Sequence, residues 1–509
     1  MKLKRLKIKN FRGYNNETTV EFNDFTAFVG KNDIGKSSIL EALDIFFNEG
    51  KGAVKIEKED LNASMRADND EIVVSVCFSD LPNNIIIDTA NETTLYDEYL
   101  LNSDNYLEII KKYKNGGKPK VYILANHPTN EHCNNLLQLK NSELKELLDA
   151  HQIACDNRAI NAVIRKAIWN HYQNELFVQP QEIEINNGDT KTIWEQIEKH
   201  LPLFSPFQSD RQNNDSDSEI QDPLQSAVKE ILNDEQIQQK LEEVAIEVER
   251  KLSEVSQRTL DKLREMDAEI ANSLNPTIPP TASLKWHDVF KKVSITGDEN
   301  IPINKRGSGT KRLILLNFFR AEVERRQQLD NCRSVIYAIE EPETSQHSEN
   351  QKMIISALVD LSTQNNTQVI ITTHSHVVVK GLPYENIRII RKDDIGEKRV
   401  ENTFSGLMPY NSLNEVSYIA FDESSEEYHN ELFGYIQEQQ LLNEYKNGKP
   451  LVNYNYLRNG NIELRQYTMT EYIRHQIHHP ENTNNRRYTY DELTQSINEM
   501  RSFIERRNN

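Results

Sequence analysis

In Gly30-Lys31-Asn32-Asp33-Ile34-Gly35-Lys36-Ser37, two glycines flank four residues, and the second is followed by a lysine and a hydroxyl. Glycines let backbone N–H groups turn inward around phosphate oxygens, and a helix that starts here would offer its positive end to the same anion. The pattern gives Gly30, Asn32, Gly35, Lys36, Ser37 and Ser38 as the residues around a nucleotide. Lys36 would reach the outer phosphates and the Ser37 hydroxyl would ligate Mg2+. The flanks agree, because residues 25–29 form a short apolar run of buried-strand type and residues 38–47 carry apolar side chains at helical spacing. ATP and Mg2+ are therefore the expected ligands.

Further along, the apolar run Ser334 to Ile339 ends in Glu340-Glu341-Pro342-Glu343. An open α/β sheet puts its chemistry at the carboxyl ends of its strands. There Glu340 would hold Mg2+, directly or through water, and Glu341 would orient the attacking water. Carboxylates also favour helix N-termini, so an acidic helix start is the competing reading. The run Gln368 to Thr372 ends in Thr373-His374-Ser375-His376, and His374 directly at the strand end is placed to hydrogen-bond a terminal phosphate, with His376 as its competitor. Between the loop and the carboxylates, Lys305-Arg306-Gly307-Ser308-Gly309-Thr310-Lys311 is a small-residue turn opening a helix.

These groups need a scaffold that brings strand ends together. Two buried strands separated by one helix, at residues 334–339 and 368–372, imply a parallel sheet. Residues 71–78 read as another strand. From about residue 80 to 280 the sequence turns polar and helix-prone, with a mobile acidic loop at 209–222. Leu241, Ala245, Val248, Leu252 and Val255 then repeat at a 4–3 spacing, as a coiled-coil seam or an ordinary amphipathic helix would. From about residue 405 the chain is aromatic-rich and helical.

The 509 residues fit about two to four domains, and a formal charge of −19 argues against coating nucleic acid with the whole surface. Four scattered cysteines without a CxxC pair point to a reducing compartment. No stretch approaches the roughly 20 apolar residues of a membrane span. A cytoplasmic protein without a membrane partner is expected.

The set Gly30–Ser37, Arg306–Arg312, Glu340–Glu343 and Thr373–Ser375 resembles the head of ABC-type ATPases. More narrowly it is similar to the OLD, RecF and SMC-like group, as is the opening Ile8-Lys9-Asn10-Phe11-Arg12-Gly13. The resemblance covers about the first 80 residues and residues 285–380. It implies an α/β ATPase head split into residues 1–80 and 286–404, a helical insertion at 81–285, and a small helical domain at 405–509. It also implies a dimer or larger assembly in which Arg306, Gly307, Ser308, Gly309 and Lys311 of one subunit cap the ATP held by another. Two departures stand out: Glu340 replaces the usual aspartate, and the glutamine that links Mg2+ to the inserted arm has no clear place.

The sequence after His376 lacks the strand–glutamate and Asp-x-Asp pattern of a TOPRIM nuclease. The chain then resembles stand-alone ATPases of two-gene anti-phage systems of the Septu and PARIS kinds. There a partner supplies the nuclease or toxic effector, and a nucleic acid or phage component is the trigger. A second reading takes Arg474 and His479 as the Arg-polar-x3-His pair of a HEPN ribonuclease, against a packed helix end stopped by Pro480. A third is a RecF- or SMC-like DNA-repair ATPase.

Overall fold

The structure, a computed structural model, describes residues 1–207, 232, 234–266 and 333–508, apart from breaks at 50–51, 67–69, 88–91, 186–190, 345, 394, 404–405 and 459–460. Two compact units emerge, one from Met1–Ser209 with Arg320–Asn509 and one from Asp210–Phe319.

The first unit is built on two sheets. β1 (Lys2–Lys9) buries Leu3, Leu6 and Ile8, and a register shift between Leu3 and Arg5 turns both leucines to the same side. It pairs antiparallel with β2 (Thr18–Glu21) and β4 (Ile72–Ser79). β7 (Leu107–Tyr113), β8 (Lys120–His127) and β9 (Gln179–Glu184) extend that sheet in the order β2-β1-β4-β7-β8-β9. A two-residue hairpin, β5 (Ile85–Ile86) with β6 (Glu92–Thr93), stands apart from it.

The second sheet runs β10-β11-β12-β3-β13-β14. β3 (Phe25–Val29) is buried throughout and lies in parallel between β12 (Thr367–Thr373) and β13 (Ile387–Lys392). β11 (Val335–Glu340) joins β12 to β10 (Leu203–Phe207), again in parallel, and Pro206 is tolerated because β10 is an edge strand. Only β14 (Lys398–Asn402) runs antiparallel, as the partner of β13. Helix α1 (Lys36–Asn48) buries Ile39, Leu43 and Phe46 in one core with Ile8 and Val76 of the first sheet and Ile336 and Ile370 of the second. Parallel order brings the carboxyl ends of β3, β11 and β12 to one rim, with Glu340 in register with Thr372 and Thr373 with Val29.

The region after residue 80 departs from the helical insertion expected there. β7, β8 and β9 continue the sheet begun by β1 and β4, so this stretch shares the core of the head. Polar residues inside the sheet conceal it in the sequence. Glu108 is buried where it accepts from Lys7, Ser75 and Asn102, and Lys111 is buried where it donates to the Phe46 carbonyl and meets Glu49. Helices α2 (Asn141–Ala150) and α3 (Asn161–His171) form a satellite core around Leu144, Ile164 and Trp169, and α4 (Lys191–Glu198) packs Ile193 and Ile197 into the main one. A buried bidentate pair, Arg165 with Glu98 at 2.7 and 3.0 Å, ties α3 to the loop before β7.

The second unit contributes α5 (Glu235–Met266), a single helix over the expected seam. Along it Ala245 is buried, whereas Val248 and Val255 are exposed. The turn Arg306–Arg312 and the helix it is expected to open lie outside the described residues.

Within the first unit, α6 (Ser348–Ser362) connects β11 to β12, and the short α7 (His376–Val379) follows β12. The C-terminal region is helical as expected, with α8 (Leu413–Phe421), α9 (Glu426–Glu438), α10 (Leu442–Lys446), α11 (Met469–His478) and α12 (Tyr490–Asn508) around Tyr428, Leu432, Ile473, Ile497 and Met500. It adds a hairpin that sequence reading does not anticipate, β15 (Leu451–Arg458) with β16 (Asn461–Thr468). α11 starts on a reciprocal cap between Thr468 and Glu471.

Candidate nucleotide site

The loop between β3 and α1 has the backbone an anion requires. A side chain at Gly30 would fall 2.7 Å from the Ile390 carbonyl, so only glycine lets the loop pass β13. Gly35 caps α1 at φ 112°, in the left-handed region, and supplies no side-chain cap. The first N–H groups of α1 thus lack a side-chain partner from the cap, and no carboxylate lies in its first turn to compete with a phosphate. Asn32 is exposed on the loop and Ser38, the third residue of the helix, is half-buried.

Lys36 is buried, and its Nζ donates to the carbonyls of Gly30 and Lys31 at 2.8 Å each. Burial pulls its pKa down, against the attraction of Glu341, Glu343, Glu340 and Asp33. The ammonium is thereby held at the mouth of the loop, where phosphate oxygens can replace two neutral carbonyls.

Ser37 Oγ donates to Glu340 Oε1, although the two residues are 303 positions apart. A hydroxyl and a carboxylate oxygen meeting beside a phosphate-binding loop are hard donors of the type Mg2+ takes, so these two residues fit the ion. Bound there, Mg2+ would neutralise charge building on the phosphates. Phe207, the last residue of β10, is in register with Ile339, next to this pair. The following residue, Gln208, lies outside the described residues.

Glu341 leaves the strand at φ 43°, a strained conformation for a glutamate, fixed by its N–H donating to the Thr372 carbonyl and hydroxyl at 3.1 and 3.2 Å. That turn aims the side chain at His374, whose Nδ1 lies 2.9 Å from Glu341 Oε1. Glu343, two residues on in the same turn, is 2 % exposed and accepts from the Thr373 hydroxyl at 2.5 Å and from the His374 N–H at 3.3 Å. Desolvation pushes its pKa up. His376, the alternative histidine, points elsewhere, against Glu423 and Phe421 of the C-terminal region. The carboxylates therefore end a strand and do not open a helix, since α6 begins only at Ser348. Lys36, the Ser37–Glu340 pair, Glu341 and His374 therefore share one rim.

Residues 1–379 match the family model described as AAA ATPase domain. The chain belongs to that AAA ATPase family. It is an ATPase with an α/β head, and the rim just described is the place in it where nucleotide chemistry fits. No curated protein matches the chain. Among solved structures it is similar to an SMC head bound to the C-winged helix domain of ScpA, at 14% identity and TM-score 0.37, covering 79% of this chain and 98% of that one. It is also similar to the SMC head domain from Thermotoga maritima, at 14% identity and TM-score 0.31, covering 79% of this chain and 100% of that one. No described helix is long and apolar enough to cross a membrane.

The ribonuclease pair is not brought together. The Arg474 guanidinium lies over the Phe433 ring at 4.2 Å, facing α9, and burial lowers its pKa. His479 sits at the C-cap of α11 and meets Glu481 at 3.1 Å. One side chain packs on a ring and the other meets a surface carboxylate, contacts that a packed helix end also makes. The residues Arg306, Gly307, Ser308, Gly309 and Lys311 lie outside the described residues.

Proposed function

We propose that this ATPase is the sensor and regulatory subunit of a bacterial anti-phage defence complex, and that its nucleotide state controls a partner nuclease or other toxic effector. The regulatory part rests on how the C-terminal region is attached to the rim of the nucleotide site. Lys31 Nζ, in the phosphate-binding loop, lies 3.1 Å from Asp422 Oδ2. His376 Nε2 lies 2.5 Å from Glu423 Oε2, and Lys380 Nζ 3.5 Å from Glu427 Oε1. Exposed pairs of this kind are worth at most about 1 kcal/mol each, so a phosphate arriving at the loop can exchange for Asp422. The region so tethered exposes Leu451, Leu457, Ile462 and Leu464 on one face of its hairpin, apolar surface suited to a protein partner.

The defence setting comes from the resemblance of the motif set to stand-alone ATPases of the Septu and PARIS kinds, an analogy of family and not of demonstrated chemistry. In that reading two copies close over ATP, with Ser308 and Gly309 of one facing Lys36 of the other. Co-expression with neighbouring genes, followed by mass measurement with and without ATP, tests it. A nuclease that co-purifies, in an assembly of at least two ATPase copies, is the expected result. A monomer with no partner that binds duplex ends more tightly with ATP would replace it with the repair-ATPase reading.

A further inference from the structure

Lys398 opens β14 and reaches into the crevice between two glycine turns. A side chain at Gly13 would fall 2.3 Å from Lys398 Nζ, and one at Gly35 would fall 2.9 Å from it. The ammonium stands 5.5 Å from the centre of the Tyr14 ring, and the Tyr14 hydroxyl donates to the Gly35 carbonyl at 3.0 Å. Lys398 is therefore wedged between the Arg12–Tyr14 turn and the end of the phosphate-binding loop that starts α1.

Its charge has no bonded counterpart among the described residues, where Lys398 Nζ makes no hydrogen bond or ion pair. Three cations of the surrounding turns are engaged: Arg12 with Glu41 and Asp60, Lys31 with Asp422, and Lys36 with two loop carbonyls. Lys392 and Arg12 both disfavour the charged form of Lys398, burial does so more strongly, and only Asp33 of the loop opposes them. A half-buried ammonium without an acceptor is a cost to the fold. Glu397, next to Lys398 in the chain, is engaged elsewhere, because Asn16 Nδ2 donates to its carboxylate at 2.5 and 2.6 Å. The fold thus keeps an uncompensated cation against Gly35, in a loop built to receive an anion.

We propose that Lys398 is a second phosphate-binding cation of the nucleotide site, meeting the phosphate chain at the Gly35 end of the loop while Lys36 meets it at the Gly30–Lys31 end. The inference rests on the assignment of Gly30–Ser37 as the nucleotide loop. It also accounts for Gly13, since any larger residue in the Arg12–Tyr14 turn would displace the ammonium. Bound nucleotide then draws the β13–β14 hairpin onto the loop.

The test uses full-length protein with Lys398→Met, which keeps the apolar stem, and Lys398→Arg, which keeps the charge. Binding of ADP, ATP and adenosine is titrated, and melting is followed without nucleotide. Lys398→Met should weaken ADP and ATP binding about tenfold or more, as loss of a charge-assisted contact does. It should leave adenosine binding unchanged and raise the melting temperature of the nucleotide-free protein, whereas Lys398→Arg should retain most of the affinity. Wild-type affinity of Lys398→Met for ADP and ATP overturns the proposal. So does an equal loss for adenosine, or a lowered nucleotide-free melting temperature that accompanies the loss. Lys36→Ala measured in parallel separates the two levels: if it binds nucleotide normally, the loop assignment itself fails.

Discussion

His374 Nδ1 lies 2.9 Å from Glu341 Oε1, so the ends of two adjacent strands are joined by a histidine–carboxylate contact on the rim beside the phosphate-binding loop. The contact depends on the positive φ of Glu341, which swings the carboxylate out of the strand and toward β12. A carboxylate so held can accept a proton from water while the imidazole steadies a terminal phosphate.

Glu341→Gln should therefore bind ATP about as well as the wild type and hydrolyse it at least about a hundredfold more slowly. Steady-state phosphate release and nucleotide binding, measured on the same sample, check this. Turnover at the normal rate would move the role to Glu340 or Glu343.

Lys36→Ala should abolish ATP-induced thermal stabilisation while changing the nucleotide-free melting temperature little. The lysine is held only by two neutral carbonyls and is penalised by burial, so its removal costs the empty protein less than it costs the complex. A variant that melts much earlier without nucleotide would show Lys36 to be structural.

Arg165 and Glu98 are buried on α3 and in the loop before β7, and they bond through two N–H groups. Removing one partner leaves the other charge buried and unpaired, at a cost of about 3–5 kcal/mol. Glu98→Ala and Arg165→Ala should each lower denaturation midpoints sharply, and the double variant should lose less than the sum of the two.

His429 is buried on α9, accepts or donates at Ser496 at 3.0 Å, and has its pKa pushed from the ordinary 6.5 down to about 3 by burial and the nearby Arg474. The unfolded chain takes up this proton at higher pH than the folded one. The neutral imidazole's contribution is thus complete above pH 6.5 and falls by about 1.4 kcal/mol per pH unit toward pH 3. Protection of the α9 and α12 amides, measured relative to their intrinsic exchange rates at each pH, should fall on acidification, and His429→Gln should flatten that dependence. His475 on α11 shifts in the same direction, so some slope should remain.

Much of the nucleotide rim is legible in the sequence because each of its parts is local. Glycines at 30 and 35, the lysine and serine after them, and carboxylates at the end of an apolar run follow from short-range backbone rules. The middle of the chain is less legible for the opposite reason. Glu108 and Lys111 look like surface residues in one dimension, and only partners as distant as Lys7, Phe46 and Glu49 make them interior. The β15–β16 hairpin is hidden similarly, with buried Tyr454 alternating with exposed polar and apolar side chains.

By itself, then, the sequence determined the phosphate-binding loop, the parallel strands that end in Glu340 and His374, and the helical character of the C-terminal region, since periodicity and turn chemistry act over a few residues. Tertiary structure alone decided that Glu341 turns toward His374 and not His376, that Arg474 packs on Phe433 away from His479, and that Lys398 stands unpaired against Gly35. Those outcomes depend on strand order and on which charges meet across the fold, and neither quantity is written in any single segment of the chain.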